Sequence, residues 1–197
     1  TGAIIDNKLK EHDLLKKTRR KVIKYGHAIN LGCFRIEFIR TNHSIADSAA
    51  LAIYTPAGII VHTGDFKIDY TPVFGSTIDL PRFAEIGKKG VLALMCDSTN
   101  VLRDGYTQSE KTVGRTLDNI FADSTTGRII VATFASNVDR VQQIINAATK
   151  HGRKVVIEGR SMVNIVNTAQ ELGYIKAKEN TIIDIEQMGS YTDDQIT

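Results

Sequence analysis

Long apolar runs are absent from this sequence, and with them any segment that could form a membrane-spanning helix, which needs about 18 or more consecutive apolar residues. Only two cysteines are present, Cys33 and Cys96, and they form no C-x-x-C pair. They therefore suggest neither a disulfide framework nor a structural zinc knuckle. The opening residues TGAIIDNKLK lack the charged and apolar segments of a secretory signal, so we expect a cytoplasmic protein. The formal net charge of +3 permits a nucleic-acid partner without requiring one.

The first half of the sequence predicts one helix followed by a sheet. Apolar residues between 4 and 14 share one helical stripe, with Thr1 as a candidate cap. Period-two alternation or short apolar runs then predict strands over residues 34–40, 49–55, 58–64 and 90–96. In the first strand Phe34, Ile36 and Phe38 are expected to face the core. The second and third strands predict a hairpin, and the last, continuously apolar, is expected to be buried on both faces.

Beyond about residue 103 the sequence alternates between strands and helices. Strands are predicted over residues 128–134, 153–158 and 181–185, with helices after 110, from 138 to near 152, and over about 161–172. A capping box, Thr107-Gln108-Ser109-Glu110, marks the start of the first helix. Such alternation requires a parallel sheet covered on both faces. We therefore predict an α/β protein with a mixed-sheet domain at 1–103 and a Rossmann-like β/α domain at 104–197.

Three polar residues, His43, Asp65 and Asp97, follow predicted strands, where strand ends can gather a site. Imidazole nitrogen and carboxylate oxygen bind zinc and harder divalent ions, and a carboxylate can bridge two ions. Spacing alone is weak support, because a lone histidine at a strand end is more often structural. Gly64 favours the ligand interpretation, since a small residue in the turn before Asp65 lets the backbone approach a ligand.

Two strand-to-helix junctions are candidate anion sites. Ser136, Asn137 and Val138 open a helix whose unpaired N–H groups and positive dipole end attract anions. The alternative is that Ser136 or Asn137 simply caps this helix. Arg160 and Ser161 repeat the pattern at the next junction, where the alternative is an ordinary loop with Ser161 as the N-cap.

Five longer stretches resemble a known family: RTNHSIADS, IVHTGDFKID, AEIGKKGVLALMCDSTN, SEKTVGRTLDNIF and RIIVATFASNVDRVQQII. They are similar to ribonuclease J, a metallo-β-lactamase enzyme with an inserted β-CASP domain, in collinear order over almost the whole chain. The resemblance implies part of a metallo-β-lactamase αββα sandwich at 1–103 and part of the β-CASP domain at 104–197. It further implies that His43 is a metal ligand, that Asp65 bridges two metal ions, and that Asp97 is a catalytic residue beside the reacting phosphate.

The resemblance also implies a function for the complete protein. That function is metal-dependent hydrolysis of phosphodiester bonds in single-stranded RNA, endonucleolytic or from the 5′ end, in RNA processing and decay. Two divalent ions are implied, zinc first, with manganese or magnesium as alternatives, in a cytoplasmic homo-oligomer. RNA phosphate becomes the expected ligand at Ser136–Val138 and at Arg160 and Ser161. The competing hypotheses are a non-catalytic RNA-binding or scaffold module and a small-molecule hydrolase of the metallo-β-lactamase type.

The sequence departs from the family pattern in its ligand motifs. The five histidines, at 12, 27, 43, 62 and 151, include no H-x-H pair, so neither the H-x-H-x-D-H cluster nor the later His-Ser-Gly-His stretch is present. We therefore expect an internal fragment of a longer enzyme, inactive alone and without a tightly bound metal. Asp139 is a second departure, because ribonuclease J enzymes often carry histidine there and a carboxylate would repel phosphate.

Overall fold

Helices and strands are mixed throughout residues 2–197, the part of the chain that the computed structural model describes, which confirms the α/β class. Thr1, the candidate cap of the first helix, lies outside the described residues. The chain divides into two compact units. Unit 1 runs to His43 and resumes over Asp47–Thr107, and unit 2 comprises Ser44–Ala46 and Gln108–Thr197. The domain boundary near 103 stays a prediction. Among the described residues, no helix has the length and apolar character needed to cross a membrane.

Unit 1 is built around a five-stranded mixed sheet. Its elements are α1 (Gly2–Glu11), a 3-10 helix (Leu15–Lys17), β1 (Ala28–Leu31), β2 (Phe34–Arg40), β3 (Ala49–Thr55), β4 (Gly58–His62), α2 (Leu80–Lys88) and β5 (Ala93–Met95). The strand order is β1-β2-β3-β4-β5. The first four strands pair antiparallel, so the predicted β3–β4 hairpin is confirmed, and β5 runs parallel to β4.

Strand β2 is confirmed, but the prediction of its buried face is wrong. Glu37 and Ile39 are each 2% exposed, whereas Phe34 retains 44% of its surface. The buried face packs against α2, where Ile39 and Ile86 belong to one core cluster. Glu37 can be buried because the Arg82 guanidinium of α2 donates to both carboxylate oxygens, from Nε at 2.6 Å and from Nη2 at 2.9 Å.

Strand β5 is shorter and more exposed than predicted. Within residues 90–96 only Ala93–Met95 form a strand, and the side chains of Leu94 and Met95 are 62% and 55% exposed. The strand lies at the edge of the sheet, where it has one neighbour instead of two. The expectation that residues 90–96 are buried on both faces is therefore wrong.

Unit 2 packs helices around a short parallel strand pair. Its elements are α3 (Glu110–Asp123), α4 (Val138–Lys150), β6 (Val155–Val156), α5 (Arg160–Glu171), β7 (Ile182–Ile183) and two 3-10 helices (Ile185–Ser190 and Asp193–Gln195). Strands β6 and β7 pair in parallel, with α5 as their connection. The predicted periodicity is confirmed in the core, where Phe121 of α3, Ile145 of α4 and Val166 of α5 are at most 2% exposed.

Two predictions for unit 2 are wrong. Residues 128–134, all of them described, form no strand, and Ile130 and Phe134 are 87% and 83% exposed. A strand requires a hydrogen-bonded ladder with a neighbour, and an apolar run does not supply that neighbour. The cap of α3 is also displaced by two residues. Ser109, not Thr107, is the N-cap, and its hydroxyl accepts from the amide of Lys111 at 3.2 Å.

Candidate functional site

Strand direction brings the three predicted site residues to the same end of the sheet in unit 1, where the strands that precede them terminate. Strands β2 and β4 both run antiparallel to β3, and β5 runs parallel to β4. The C-terminal ends of β2, β4 and β5 therefore lie at the same end of the sheet. His43 follows β2, Asp65 follows β4 and Asp97 follows β5. The Nε2 atom of His43 lies 3.6 Å from Oδ2 of Asp65. The geometry predicted from the strand ends is therefore present for this pair.

The segments that carry His43 and Asp65 are fastened to each other by backbone bonds. The amide of Lys67 donates to the carbonyl of Asn42 at 2.7 Å, so the two residues form an isolated antiparallel bridge. Gly64, in the turn before Asp65, has φ +59, and a Cβ at this position would stand 3.3 Å from the carbonyl oxygen of Ala49. Both the backbone conformation and this contact favour glycine in the turn.

Two threonines hold Asp97, one through its backbone amide and the other through its side-chain carboxylate. The hydroxyl and the amide of Thr99 both donate to Oδ1 of Asp97, at 2.7 Å and 2.9 Å. The amide of Asp97 donates to the hydroxyl oxygen of Thr63 at 3.0 Å. The Thr99 hydroxyl, then the Thr99 amide, and to a smaller extent His43, hold the pKa of the Asp97 carboxyl below its usual value. Asp97 is therefore a carboxylate at neutral pH, with Oδ2 less engaged than Oδ1.

The donor atoms at this end of the sheet fit part of a metal centre. His43 and Asp65 supply an imidazole nitrogen and carboxylate oxygens, which are ligands for zinc and for harder divalent ions. Both are accessible, with side chains 33% and 74% exposed. Across residues 2–197, however, no three or more His, Cys, Asp or Glu side chains are grouped so that they could hold an ion together. Since a closed zinc site takes four ligands, this pair accounts for part of one coordination sphere.

The side chain of Asn137 caps the start of α4 at Ser136–Val138 in unit 2. The side-chain oxygen of Asn137 accepts from the amide of Arg140 at 3.1 Å, and the amide of Val138 donates to the carbonyl of Ser136 at 3.0 Å. Asn137 and Val138 are also buried, at 7% and 4% exposure. This is the capping alternative left open by the sequence. The phosphate role of Ser136–Val138 needs unpaired first-turn amides, and that condition is not met at Val138 and Arg140.

Asp139 lies beside a second carboxylate at the start of α3. The Arg140 guanidinium binds Glu110 through Nε at 3.1 Å and Nη2 at 2.8 Å, which engages both Glu110 oxygens. Burial, and secondly the charge of Glu110, raises the pKa of Asp139 to about 6. The positive charge of Arg140 is thus directed to Glu110, and Asp139 adds negative charge where an RNA phosphate was predicted.

Replacing Asp139 with asparagine is expected to stabilise the protein at pH 8. A carboxyl whose pKa is raised in the folded state destabilises that state above the raised value, and the penalty disappears as pH falls from about 6 towards its usual value. After a discount for solvent screening and for the favourable interaction of Asp139 with the helix dipole, the expected gain in unfolding free energy is about 1–2 kcal/mol. Urea unfolding at pH 8 and pH 4 measures it. Asp104→Asn, an exposed control outside the helices, should leave the unfolding free energy unchanged at both pH values. An equal gain from Asp139→Asn at both pH values would contradict the explanation.

Arg160 and Ser161 form the first turn of α5 and are both exposed. Gly159, with φ +93, is the N-cap, so the alternative in which Ser161 caps the helix is wrong. A glycine cap has no side chain to bond the first-turn amides, in contrast to Asn137 on α4. Of the two predicted anion sites, the start of α5 is thus the one with an exposed cation.

Comparison with known proteins shows similarity to ribonuclease J. Residues 126–197 match the family model "Ribonuclease J, beta-CASP domain". Ribonuclease J of Synechocystis sp. is 45% identical to this chain over 194 residues, which are 98% of this chain and 30% of that protein. This chain is thus similar to one segment of ribonuclease J over almost its whole length. Ribonuclease J of Helicobacter pylori is 44% identical over 98% of this chain and 28% of its own length, and ribonuclease J2 of Bacillus subtilis is 39% identical over 97% and 34%.

The chain spans about 30% of the length of these ribonuclease J relatives. A solved structure supports the fold alone. The crystal structure of a protein of unknown function from Enterococcus faecalis V583 matches 98% of this chain and 50% of its own chain, with a TM-score of 0.65 at 19% identity.

Three residues that hold the segments carrying His43 and Asp97 were not singled out from the sequence for this role. Asn42 fastens the segment before His43, and the hydroxyls of Thr63 and Thr99 bond to Asp97. A signal exists for the threonines, because short hydroxyl side chains next to a turn often bond to nearby backbone or carboxylate groups. For Asn42 the partner, Lys67, is distant in sequence, and no local pattern predicts it.

Proposed function

We propose that the complete protein containing this segment is a metal-dependent ribonuclease that hydrolyses phosphodiester bonds in single-stranded RNA. Internal cleavage and 5′-to-3′ exonucleolytic cleavage are both within the proposal, as is a cytoplasmic role in RNA processing and decay as a homo-oligomer. The observation that carries it is the convergence of His43, Asp65 and Asp97 at one end of the sheet, in a chain similar to ribonuclease J.

His43 and Asp65 would act as metal ligands in this proposal, and Asp65, with two carboxylate oxygens, would bridge two ions. Zinc is the first candidate, followed by manganese and magnesium. Divalent ions supply Lewis-acid polarisation of a phosphoryl oxygen and lower the pKa of bound water. Because this segment contributes two such ligands, we propose that it holds no metal tightly when isolated.

Asp97 would orient a neighbouring group or accept a proton. Its Oδ1 atom already accepts two hydrogen bonds from Thr99, whereas Oδ2 accepts a longer one from the amide of Phe66 at 3.5 Å. Oδ2 is therefore the atom available for proton transfer. The backbone of Phe66 directly follows Asp65, so this oxygen is directed to the segment that carries the proposed bridging ligand.

The test is cleavage of 5′-labelled single-stranded RNA by a full-length ribonuclease J that carries this segment. Internal products indicate endonuclease activity, and release of 5′ mononucleotides indicates exonuclease activity. RNA binding without cleavage in zinc, manganese or magnesium would favour the non-catalytic module. Hydrolysis of a β-lactam or thioester without RNA cleavage would favour the small-molecule hydrolase, and either result would contradict the proposal.

Replacing Arg160 with alanine in the same protein is expected to weaken RNA binding about equally for unrelated sequences. A cation that contacts phosphate contributes affinity without reading bases, and its removal should lower the slope of log affinity against log salt by roughly 0.7 for single-stranded RNA. Fluorescence anisotropy over a salt series measures both effects. The control is Arg115→Ala on α3, also exposed, and an unchanged slope for Arg160→Ala would contradict phosphate contact.

A further inference from the structure

Thr63 and Thr99 each use a side-chain hydroxyl to hold Asp97, and they hold different parts of it. The last parallel pair between β4 and β5 is His62 with Met95. Just beyond this pair, the amide of Thr63 donates to the carbonyl of Met95 at 3.0 Å. The Thr63 hydroxyl then accepts from the amide of Asp97 at 3.0 Å. A side-chain oxygen thus continues the connection between the two strands after the regular ladder has ended.

The same Thr63 hydroxyl reaches the turn that carries Asp65. It donates to the carbonyl of Gly64 at 2.7 Å while accepting from Asp97. Thr63 is 8% exposed, so water does not readily replace either bond. One buried hydroxyl therefore fixes the backbone of Asp97 relative to the backbone next to Asp65.

Thr99 fixes the carboxylate itself. Its hydroxyl and amide both donate to Oδ1, which selects one orientation of the Asp97 side chain and leaves Oδ2 towards the amide of Phe66. Thr63 and Thr99 do not act as acid–base groups themselves, since a threonine hydroxyl does not titrate in the neutral range. Their hydrogen bonds determine the backbone position and the carboxylate orientation of Asp97.

We propose that Thr63 and Thr99 are positioning residues that place Oδ2 of Asp97 for RNA cleavage, Thr63 through the Asp97 backbone and Thr99 through the Asp97 carboxylate. The inference rests on the function proposed above, in which Asp97 acts on the substrate. A displacement of about 1 Å in a reacting group can cost on the order of 100-fold in rate. The two hydroxyls should therefore affect turnover more than substrate binding.

The test uses steady-state RNA cleavage by a full-length ribonuclease J carrying this segment. Thr63→Val and Thr99→Val keep the side-chain shape and remove the hydroxyl, and each is expected to lower kcat by about 10–100-fold with KM for RNA within about threefold. Thr63→Ser and Thr99→Ser, which restore the hydroxyl, should recover kcat to within about threefold of the unmodified protein. Thr99 is exposed, so its valine variant remains informative if Thr63→Val does not fold.

Thr55→Val is the matched control. The Thr55 hydroxyl accepts from the amides of Ala57 and Gly58 in the β3–β4 turn, at 3.1 Å and 3.2 Å, and has no contact with Asp97. It should lower thermal stability without changing kcat. Unchanged kcat in both Thr63→Val and Thr99→Val would overturn the inference, as would valine variants that serine fails to rescue.

Asp97→Ala distinguishes failure of the positioning role of Thr63 and Thr99 from failure of the proposed role of Asp97. A large loss of kcat in Asp97→Ala, together with normal turnover in both valine variants, would refute the positioning role and leave the proposed function intact. Normal turnover in Asp97→Ala would refute the role of Asp97 in the proposed function, and the inference with it.

Discussion

Under the proposed function, replacing Asp65 with alanine in the full-length protein that carries this segment is expected to lower kcat/KM for RNA by more than about 100-fold. Loss of a residue that only supports a metal ligand typically costs 10–100-fold, and loss of a ligand should exceed it. His43→Ala should have an effect of similar size, because its Nε2 lies 3.6 Å from Asp65 Oδ2 and both would bind the same centre. Initial rates on labelled RNA and metal content per protein measure the two consequences.

The fold should survive both changes. Asp65 is 74% exposed and the His43 side chain 33% exposed, so neither substitution opens a cavity in the core. His12→Ala and Asp104→Ala, which change exposed residues of the same types in unit 1, are the matched controls and should keep full activity. Circular dichroism should be the same for all four variants. Normal turnover by Asp65→Ala would contradict the metal-ligand role of His43 and Asp65 and would indicate that both residues are structural.

Replacing Arg82 with alanine is expected to destabilise unit 1 by about 3 kcal/mol. The substitution leaves the Glu37 carboxylate, 2% exposed, without the guanidinium that bonds both of its oxygens. The contacts that remain are the Tyr54 hydroxyl at 3.1 Å, which is a neutral donor, and the half-exposed Arg35, whose Nη1 lies 3.7 Å from Oε2. A buried charge that loses its partner costs more than the pair itself contributes. Urea unfolding at pH 7 measures the loss.

The effect of Arg82→Ala should depend on pH. The hydrogen bonds from Arg82, opposed by burial and supported by Tyr54, lower the pKa of Glu37. A carboxyl with a lowered folded-state pKa stabilises the fold above its unfolded pKa, and this contribution is lost as pH falls through the folded value. The difference between the two proteins should therefore shrink in acid. A difference that is constant from pH 7 to pH 3 would contradict this account.

Glu85→Ala is the matched control for Arg82→Ala. Glu85 also pairs with Arg82, at 2.5 Å, but its side chain is 61% exposed. An exposed pair contributes less than about 1 kcal/mol, because water already solvates both charges. A loss as large as that of Arg82→Ala would mean that burial of Glu37 is not the cause.

Local sequence determined the elements whose formation depends on near neighbours. The apolar periodicity of α3 and α4 located both helices, and the turn between β3 and β4 located the hairpin. The positions of His43, Asp65 and Asp97 after strands predicted that they could share one end of a sheet. These features follow from side-chain period, turn chemistry and strand direction, which are readable in the chain itself.

Tertiary structure alone decided the features that depend on partners distant in sequence. Glu37 became buried because Arg82, 45 residues away, neutralises it, which reversed the predicted face of β2. Residues 128–134 lack the ladder that a strand requires. The role of Asn137 was open until its side chain was seen to bond the amide of Arg140, and the two threonines around Asp97 were recognised only from their contacts. In each case the sequence specifies which groups can bond, and the folded chain determines which of them meet.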